Sequence, residues 1–587
     1  MPHPMLNQHW TRFLHPNAPD PHKDTYTPTN TAIFTSPYGP FPPSPPDLNI
    51  HKLCFPPNTP LPPDYPLIIN AVTDEVLTLH AFHARTLALS RALRHDGRAE
   101  VVFGGVSPES TPFELWWVMR KMQITSMMVH ESLLSVLGEA VKLGRGEGDE
   151  MALKFVLAEE KVVVLSDDAK LDFVRGYRTV ESLIREGMML QERPRKMLGG
   201  DRMAYLFQSS GTSGLPKAMM ISHSNGYHSG MQTLITAAQG ARFMGMEPFA
   251  ALSVTLGVIP MYHSYGMILW NLRINLVRNT TILLPKWDLE LALRSIEKYK
   301  ITALPLVPPL IRQLAQSRLT EKYDLSSVIG AVSGAAYLPP DVAYQLAQKL
   351  PQGKDMPIPS GYGLSEAASI ASPATPGIFG LEPALPGSIG YLLPGMEARV
   401  VDPDTIKDVK KGEKGELWAR GAVVTPGYFK DAKATADIFT EPGWLRTGDL
   451  VMRDEQDRIH YLDRLKEMIK VKGLQVAATE VEDALLQHPE GLVRDACVAG
   501  VDNGRGDGSL FVRAWVVVTE EGRRQGGEEV ARKMDEWVQG RLSKHKWLTG
   551  GVEVVESIPR TPSGKMLRRE MRDQYHARLK RNGQAKL

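Results

Sequence analysis

The sequence is poor in the features that mark several classes of protein. Only two of its 587 residues are cysteines, Cys54 and Cys497. They are far apart and in no CxxC pair, which argues against a disulfide scaffold and a cysteine-based zinc site. The net charge is only +2, so we expect no nucleic-acid partner. The most apolar stretch, Phe249 to Tyr262, has about 14 residues where a membrane span needs about 20, so we expect no transmembrane segment.

The length and the proline distribution already suggest how the chain is organised. A chain of 587 residues exceeds what one hydrophobic core usually holds, so we expect a large domain and at least one more. Of its 44 prolines, 18 fall between Pro2 and Pro66. A polar, proline-rich segment buries too little apolar surface to become ordered, so residues 1–32 are predicted to be a disordered extension.

Hydrophobic patterning predicts the fold class. Short β-branched runs such as Lys161–Leu165 and Ile301–Val307 alternate with helical patterns such as Leu289–Lys298, which indicates α/β architecture. Short strands and glycine turns follow between about 395 and 462, and the last 120 or so residues have a β-α-β-α pattern. We therefore predict a large N-terminal domain of parallel or mixed sheets with helices plus a small β subdomain. A small, mobile α+β C-terminal domain follows it.

One loop has the composition of an anion-binding site. An apolar strand beginning at Tyr205 leads into Ser209-Ser-Gly-Thr-Ser-Gly214 and then Lys217. Glycines let the backbone approach a polyanion, successive N–H groups form a nest, and hydroxyls add donors. The loop is not a Walker A motif, because Pro216 precedes the lysine and no Ser or Thr follows it. Alone, the loop is equally well explained as an ordinary Ser/Gly loop.

Four further motifs carry groups that a nucleotide needs. Gly361-Tyr-Gly-Leu-Ser-Glu366 offers an aromatic ring for stacking and a carboxylate for Mg²⁺. Gly443-Trp-Leu-Arg-Thr-Gly-Asp449 offers a carboxylate for the hydroxyls of a ribose. Asp463–Gly473 carries four cations, and Pro559–Lys565 ends in a loop lysine. Each motif alone is better or equally well explained as a surface loop, a capped turn, a solvated basic edge or a tail lysine.

As a set, in this order and spacing, the five motifs resemble the adenylate-forming (AMP-binding) superfamily of acyl-CoA synthetases, amino-acid adenylation domains and beetle luciferases. The sequence looks most similar to the 4-coumarate–CoA ligase-like branch, over roughly residues 33 to 575. The resemblance implies an adenylation domain at 33–463, a hinge at 464–466 and a C-terminal domain at 467–587.

The resemblance also implies roles for individual residues. It implies catalytic roles for Lys565, His263, Lys470 and Gln475, a hinge at Lys466 and a Mg²⁺ ligand in Glu366. It places the acid against His263, Tyr265, Gly334, Gly361 and Ala367. The implied nucleotide- and CoA-binding residues are Ser209, Ser210, Gly211, Thr212, Ser213, Gly214, Lys217, Ser333, Gly334, Ala335, Ala336, Gly361, Tyr362, Gly363, Ser365, Asp449, Arg464, Lys472 and Gly473.

The activity that the resemblance implies is an acid–CoA ligase using ATP, Mg²⁺ and CoA. An aryl or medium-chain acid would form an acyl-adenylate and then a thioester, releasing AMP and pyrophosphate. Three alternatives stay open: an enzyme that delivers the acyl group to a carrier protein, a luciferase-type oxygenase, and a catalytically impaired relative used for binding. An amino-acid-activating domain is disfavoured, because no Asp lies near the Tyr262-His263 segment.

Two further features depart from, or add to, this pattern. Between Ala99 and Gly104, the chain joins two segments that the family normally separates by a strand and a helix, so we hypothesise a deletion that leaves sheet surface uncovered. The last residues, Ala585-Lys-Leu587, are similar to the peroxisomal Ser-Lys-Leu address. We therefore expect a peroxisomal protein that binds the import receptor, or otherwise a cytoplasmic one.

Overall fold

The computed structural model describes most of the chain. The described residues are 19–42, 44–45, 48–54, 66–96, 102–146, 161–191, 199–209, 217–245, 253–277, 279–351, 357–383, 385, 387–440, 443–471, 474–502, 510–561 and 564–581.

The helices follow the predicted helical patterns closely. The pattern Leu289–Lys298, for example, becomes a helix that Asp288 caps by accepting a hydrogen bond from the Leu291 N–H at 2.7 Å. The helices are α1 (Ile50–Cys54), α2 (Leu79–His95), α3 (Pro112–Met122), α4 (Leu134–Gly146), α5 (Val180–Met189), α6 (His223–Phe243), α7 (Ser264–Met267), α8 (Ile274–Val277), α9 (Leu289–Tyr299), α10 (Pro308–Gln316), α11 (Pro340–Ala347), α12 (Ala432–Ile438), α13 (Ala478–Leu486), α14 (Glu520–Gln525), α15 (Gly527–Arg541) and α16 (Arg568–Arg581). A π-helix, Ile268–Arg273, joins α7 to α8.

The strands are short in the first half of the chain and longer after residue 395. In chain order they are β1 (Phe34–Thr35), β2 (Pro66–Asn70), β3 (Val76–Thr78), β4 (Phe103–Gly104), β5 (Met127–His130), β6 (Val162–Leu165), β7 (Phe173–Val174), β8 (Tyr177–Thr179), β9 (Met203–Ser209), β10 (Lys217–Ser222), β11 (Val254–Gly257), β12 (Thr280–Leu283), β13 (Ala303–Leu306), β14 (Gly330–Ser333), β15 (Ala371–Ser372), β16 (Ser388–Leu392), β17 (Met396–Val401), β18 (Lys414–Gly421), β19 (Phe439–Thr440), β20 (Trp444–Arg453), β21 (Ile459–Arg464), β22 (Ile469–Val471), β23 (Leu474–Val476), β24 (Val493–Asp502), β25 (Leu510–Val518) and β26 (Val552–Val554).

The first two-thirds of the chain build three sheets with helices packed on them. The largest has the order β14-β13-β11-β12-β2-β3 and is parallel except at β3. Its strands are short and mostly apolar, as expected where helices cover a parallel sheet. Leu293 and Ile296 of α9 are fully buried in the core that this sheet shares with α10 and α11. The other two sheets have the orders β5-β6-β8-β7 and β10-β9-β4.

The change of texture near residue 395 corresponds to an antiparallel β subdomain. Its strand order is β1-β17-β18-β20-β21-β16-β15, with β19 paired to β20. The remaining strands form the hairpin β22-β23 and the sheet β24-β25-β26, on which α13, α15 and α16 pack. The predicted α/β class, with a β subdomain and a final α+β unit, is confirmed. None of the helices in the described part of the chain is both long and apolar enough to cross a bilayer.

The described part of the proline-rich extension is packed, which differs from the predicted disorder. The hydroxyl of Tyr26 and the N–H of Thr29 both donate to the buried carboxylate of Asp457, each at 2.8 Å. Arg453 donates to the carbonyls of Thr29 and Thr31. The composition did not predict this packing, because hydrogen bonds from polar and backbone groups, rather than buried apolar surface, hold the segment in place. Residues 1–18 lie outside the described residues.

The hypothesised deletion falls at the edge of a small sheet. Residues 97–101 lie outside the described part of the chain, but β4 follows them and pairs in parallel with β9. Beyond β4 the described residues add no further strand to this sheet. Phe103 is 52% exposed there. The exposed ring is the uncovered apolar surface that the hypothesis expects, and the deletion itself stays a prediction.

Candidate active site

A large cavity, about 920 Å³ in volume, lies where the parallel sheet, the β subdomain and the final α+β unit meet. Ile259, Val307 and Gly334 line it, and each follows the carboxyl end of a strand, β11, β13 or β14. This is the edge at which open α/β sheets bind ligands. A smaller cavity of about 150 Å³ adjoins it, and Arg464 and Lys565 line both.

The smaller cavity forms one end of this pair of adjoining cavities, and it is built around a buried carboxylate. Asp449 is 1% exposed, and it accepts a hydrogen bond from the Tyr362 hydroxyl at 2.7 Å. Nε of Arg464 lies 3.1 Å from the other carboxylate oxygen, since β20 and β21 pair these two residues directly. Asp449 raises the pKa of Arg464. That second oxygen accepts no hydrogen bond from the described residues, so it is free to accept one from a ligand hydroxyl.

Aromatic side chains surround this carboxylate. The ring of Tyr461 stacks on Tyr337 with centroids 6.0 Å apart and tilts against Tyr362 at 6.4 Å. Ala335 enters the same region with a φ of +69°, a conformation that non-glycine residues rarely adopt outside sites that the surrounding structure over-determines. The rings and the peptide of Ala335 thus form a flat-walled slot of the kind that a planar base requires.

The turn Gly361–Glu366 depends on glycine for a close approach to the neighbouring backbone. A Cβ on Gly363 would lie 2.3 Å from the carbonyl oxygen of Ala368, so no other residue fits there. The turn presents Glu366 to the cavity, where its carboxylate accepts a hydrogen bond from the Tyr428 hydroxyl at 2.5 Å. Nζ of Lys217 lies 5.0 Å from the Tyr428 ring centroid. Tyr428 therefore holds a carboxylate and a cation at one place on the cavity wall.

A loop from the α+β unit carries Lys565 into the cavity. Gly564 has a φ of +85°, and a Cβ there would lie 2.8 Å from Cδ of Pro309 at the start of α10. The Thr561 N–H donates to the carbonyl of Lys565, which closes the loop. Burial, reinforced by the nearby charge of Arg464, lowers the pKa of Lys565. A partly desolvated cation of this kind gains most from an anionic ligand.

The segment Pro260–Gly266 forms the opposite wall. Gly266 is needed because a Cβ would meet the Pro260 carbonyl at 2.1 Å. Nε2 of His263 is buried and unpaired among the described residues, and burial lowers its pKa, so the imidazole is neutral at pH 7. The Tyr265 ring lies against Gly334, where an added Cβ would be 3.0 Å away. Both side chains line the cavity.

The structure brings together most of the site residues predicted from sequence. The cavities are lined by Lys217, His263, Tyr265, Ser333, Gly334, Ala335, Ala336, Gly361, Tyr362, Gly363, Ser365, Glu366, Asp449, Arg464, Lys466 and Lys565. Ser209 is the last residue of β9, directly paired with Lys217. The predicted residues Ser210, Gly211, Thr212, Ser213, Gly214, Lys472 and Gly473 lie outside the described residues.

Three predicted residues lie away from the cavities. Lys470 and Gln475 face each other across the β22-β23 hairpin and are exposed to solvent. Ala367 is fully buried beneath the turn rather than on the cavity wall. Lys470 and Gln475 belong to the same unit as Lys565, and an orientation that inserts Lys565 leaves them outside the site. The position of Ala367 does not agree with a direct contact to the acid.

Sequence reasoning missed several residues of the site. Tyr428 follows Pro426-Gly427, and an aromatic after such a turn is a weak signal that was available. Tyr337 directly follows the predicted segment that ends at Ala336. Arg273 interrupts an apolar helical run and lines the cavity. The only signal for Arg273 in the sequence is its positive charge within that apolar run.

Comparison with known proteins identifies the family. Residues 97–429 match the family described as AMP-binding enzyme, and residues 480–565 match the AMP-binding enzyme C-terminal domain. The chain is 32% identical over 482 residues to acyl-CoA synthetase 7 of Caenorhabditis elegans, covering 81% of this chain and 82% of the relative. It is 29% identical to 4-coumarate-CoA ligase 1 of Narcissus pseudonarcissus, covering 90% and 94%.

The fold is shared with solved structures. ATP-bound MatB from Rhodopseudomonas palustris superposes with a TM-score of 0.73 at 22% identity, covering 90% of this chain and 99% of that one. The fold and site define an adenylate-forming class of enzyme. The chain belongs to the AMP-binding enzyme family, as its motifs predict, and the prediction of an enzyme of the acyl-CoA synthetase and CoA ligase type is confirmed.

Proposed function

We propose that the protein is an acid–CoA ligase that activates an aryl or medium-chain carboxylic acid with ATP and then transfers the acyl group to CoA. The observation that carries the proposal is the presence of Lys565 in one cavity with Arg464, Glu366 and His263. A carboxylate and a triphosphate repel each other, and a site that joins them must place fixed positive charge where negative charge develops.

The first half-reaction joins the acid to the nucleotide. Asp449 accepts the ribose hydroxyls through the oxygen that Arg464 flanks, and the slot formed by Tyr337, Tyr362 and Ala335 holds the base. The residues between Ser209 and Lys217 lie outside the described part of the chain, and the resemblance assigns the phosphates to them. A carboxylate oxygen of the acid attacks the α-phosphorus, the bond to the β-phosphate oxygen breaks, and pyrophosphate leaves. Lys565 bridges the attacking carboxylate and the α-phosphate.

The residues around Glu366 fit a Mg²⁺ ion. Carboxylate oxygen is the ligand that this cation prefers, and one oxygen of Glu366 is oriented by the Tyr428 hydroxyl. Mg²⁺ bound there would neutralise phosphate charge. Tyr428 orients the carboxylate, and Lys217, whose Nζ lies over the Tyr428 ring, adds a second positive charge toward the same phosphates.

The second half-reaction requires the α+β unit to rotate. The CoA thiol must reach the acyl carbon, and Lys565 occupies the approach in the present orientation. Rotation about the hinge at Lys466 would withdraw Lys565 and bring in Lys470 and Gln475, which are exposed to solvent in the present orientation. It would also bring in Lys472 and Gly473, which lie outside the described residues. The thiolate then attacks the acyl carbon, the bond to the adenylate oxygen breaks, and AMP leaves.

The carrier-protein, luciferase-type and catalytically impaired alternatives differ in their products. Pyrophosphate release with a panel of acids separates them, because an acid–CoA ligase releases pyrophosphate and consumes CoA in equal amounts. Pyrophosphate release without CoA consumption would favour the first two alternatives. No release with any acid would favour the impaired relative and would overturn the proposal.

Lys565→Ala tests the residue on which the proposal depends. We expect loss of adenylation by roughly a hundredfold or more, since one preorganised charge at a transition state contributes about 3–4 kcal/mol. Lys544→Ala is the matched control, because Lys544 is an exposed lysine of the same unit. Acid-dependent ATP–pyrophosphate exchange is the measurement. Exchange within threefold of the wild type would contradict the role given to Lys565.

The C-terminal tripeptide supports a peroxisomal location. Ala585-Lys-Leu587 lies outside the described residues, and its proposed partner is the peroxisomal import receptor. Deleting the three residues from a fluorescent fusion in a eukaryotic cell should move the protein from peroxisomes to the cytosol. A fusion that is cytosolic with the tripeptide intact would refute this location.

A further inference from the structure

Arg273 is a charged residue in the cavity that the proposed chemistry does not use. It ends the π-helix Ile268–Arg273, whose residues Ile268 and Leu269 line the same cavity. Its side chain is exposed, yet its neighbourhood is crowded enough that desolvation lowers its pKa. Both facts agree if the guanidinium faces the enclosed space of the cavity rather than the outer surface.

The guanidinium has no hydrogen-bond or ion-pair partner within the described part of the chain. Its one electrostatic neighbour there is the hydroxyl of Tyr265. An arginine that lines a cavity and has no protein partner is well placed to bind a carboxylate or a phosphate of a ligand. The nucleotide phosphates are assigned to the loop before Lys217 and to Lys565, so a different anion is needed to pair with Arg273.

The wall beside Arg273 is polar as well. Helix α6 packs on the π-helix and turns Ser229, Gln232, Thr233 and Thr236 toward the cavity, at the i, i+3, i+4, i+7 spacing of one helix face. Oγ of Ser229 and Oε1 of Gln232 have no hydrogen-bond partner among the described residues. A purely hydrocarbon acyl chain would leave these groups unpaired, which is unfavourable.

We propose that the acid carries a second carboxylate at the end remote from the activated one, and that Arg273 binds it. The inference rests on the proposed function. A planar guanidinium matches a carboxylate with two parallel hydrogen bonds. Arg273 lies at most about 15 Å along the helix from His263, at 1.5 Å per residue. A separation of up to this length is within the reach of a medium-chain dicarboxylic acid, which is therefore the substrate class.

The test compares matched pairs of acids. Hexanoate, octanoate and decanoate are each paired with the dicarboxylate of equal length, and acid-dependent pyrophosphate release gives kcat/KM. We expect the wild type to prefer the dicarboxylate of at least one pair by about 30-fold or more. Arg273→Met, which keeps the side-chain length but removes the charge, should reverse that preference. Arg273→Lys should restore part of it.

Arg569→Met is the matched control, because Arg569 is an exposed arginine of α16 that lines neither cavity. A second readout does not depend on turnover. The preferred dicarboxylate should raise the melting temperature of the wild type and of Arg569→Met, but not of Arg273→Met, and the melting temperature without ligand shows that each variant folds.

The outcomes separate the two proposals. Turnover of monocarboxylates and dicarboxylates at equal rates, or a preference that Arg273→Met leaves unchanged, overturns the dicarboxylate inference and leaves the ligase intact. No pyrophosphate release with either class, together with no shift in melting temperature, overturns both. Dicarboxylate-dependent release that Arg273→Met abolishes supports both.

Discussion

The two ends of the adjoining cavities differ in how their polar groups are paired. At the end that holds Asp449, the carboxylate is ion-paired with Arg464 and accepts a hydrogen bond from Tyr362. At the end that holds Arg273, the guanidinium, Oγ of Ser229 and Oε1 of Gln232 have no partner within the described residues. The first end is organised before any ligand arrives, whereas the second is incomplete without one.

The difference separates what every adenylating reaction shares from what varies with the acid. A nucleotide is the same molecule in each case, so a rigid, paired arrangement can meet it with little reorganisation. The acid differs from one such enzyme to another. The side chains that recognise it therefore lack protein partners, and the acid itself supplies their hydrogen bonds and ion pairs. The comparison predicts a large loss of activity when a pair is broken at the first end, and little loss of stability when an unpaired group is removed at the second.

Among the variants that test this comparison, breaking the pair at the organised end should have the largest effect. Asp449→Asn removes the charge that faces Arg464 and keeps the shape of the side chain. Losing one partner of a buried charged pair costs roughly 2–5 kcal/mol, so we expect ATP–pyrophosphate exchange to fall by about 30-fold or more. The measurement is exchange as a function of ATP concentration, which separates nucleotide binding from the chemical step.

The control for this variant is Asp404→Asn, an exposed aspartate of the same β subdomain. It should exchange pyrophosphate as the wild type does. An Asp449→Asn enzyme whose KM for ATP stays within threefold of the wild type would show that the paired end does not hold the nucleotide.

Gly564→Ala should have an intermediate effect, because it disturbs the approach of Lys565 to both ends. Alanine at a φ of +85° is strained, and its Cβ would lie 2.8 Å from Cδ of Pro309. A left-handed conformation costs an L-residue roughly 1–2 kcal/mol. We expect adenylation to fall about tenfold, while thioester formation from supplied acyl-adenylate is spared.

Gly551→Ala is matched to this variant, because Gly551 also has a positive φ, +82°, but its nearest neighbour is the flexible end of Arg513 in its own unit. It should lower stability without separating the two half-reactions. Equal loss of both half-reactions in Gly564→Ala would argue against docking of the loop as the cause.

The sequence predicted the organised end far better than the other. Asp449, Tyr362 and Lys565 stand in compact motifs. Local patterns such as Leu289–Lys298 likewise predicted a helix of the neighbouring core to within a residue. Arg273 stands in no motif. A π-helix turns its side chains away from the 3.6-residue period, so periodicity does not show that Arg273 faces the cavity. The packing of residues 19–32 could not be predicted from local patterns either, because Tyr26 and Asp457, which form a hydrogen bond, are more than 400 residues apart in the sequence.

The smallest effect is expected from removing an unpaired hydroxyl at the incomplete end. Ser229→Ala deletes a buried Oγ that has no partner among the described residues, so the free energy of unfolding should stay unchanged or rise by up to about 1 kcal/mol. Ser222→Ala, directly before the same helix, is the matched contrast, because Ser222 caps α6 by accepting from the Asn225 N–H at 3.0 Å. Its loss should cost about 1 kcal/mol. Urea unfolding of both variants measures the difference, and equal destabilisation would mean that Ser229 has a partner and that this end is also paired before the acid binds.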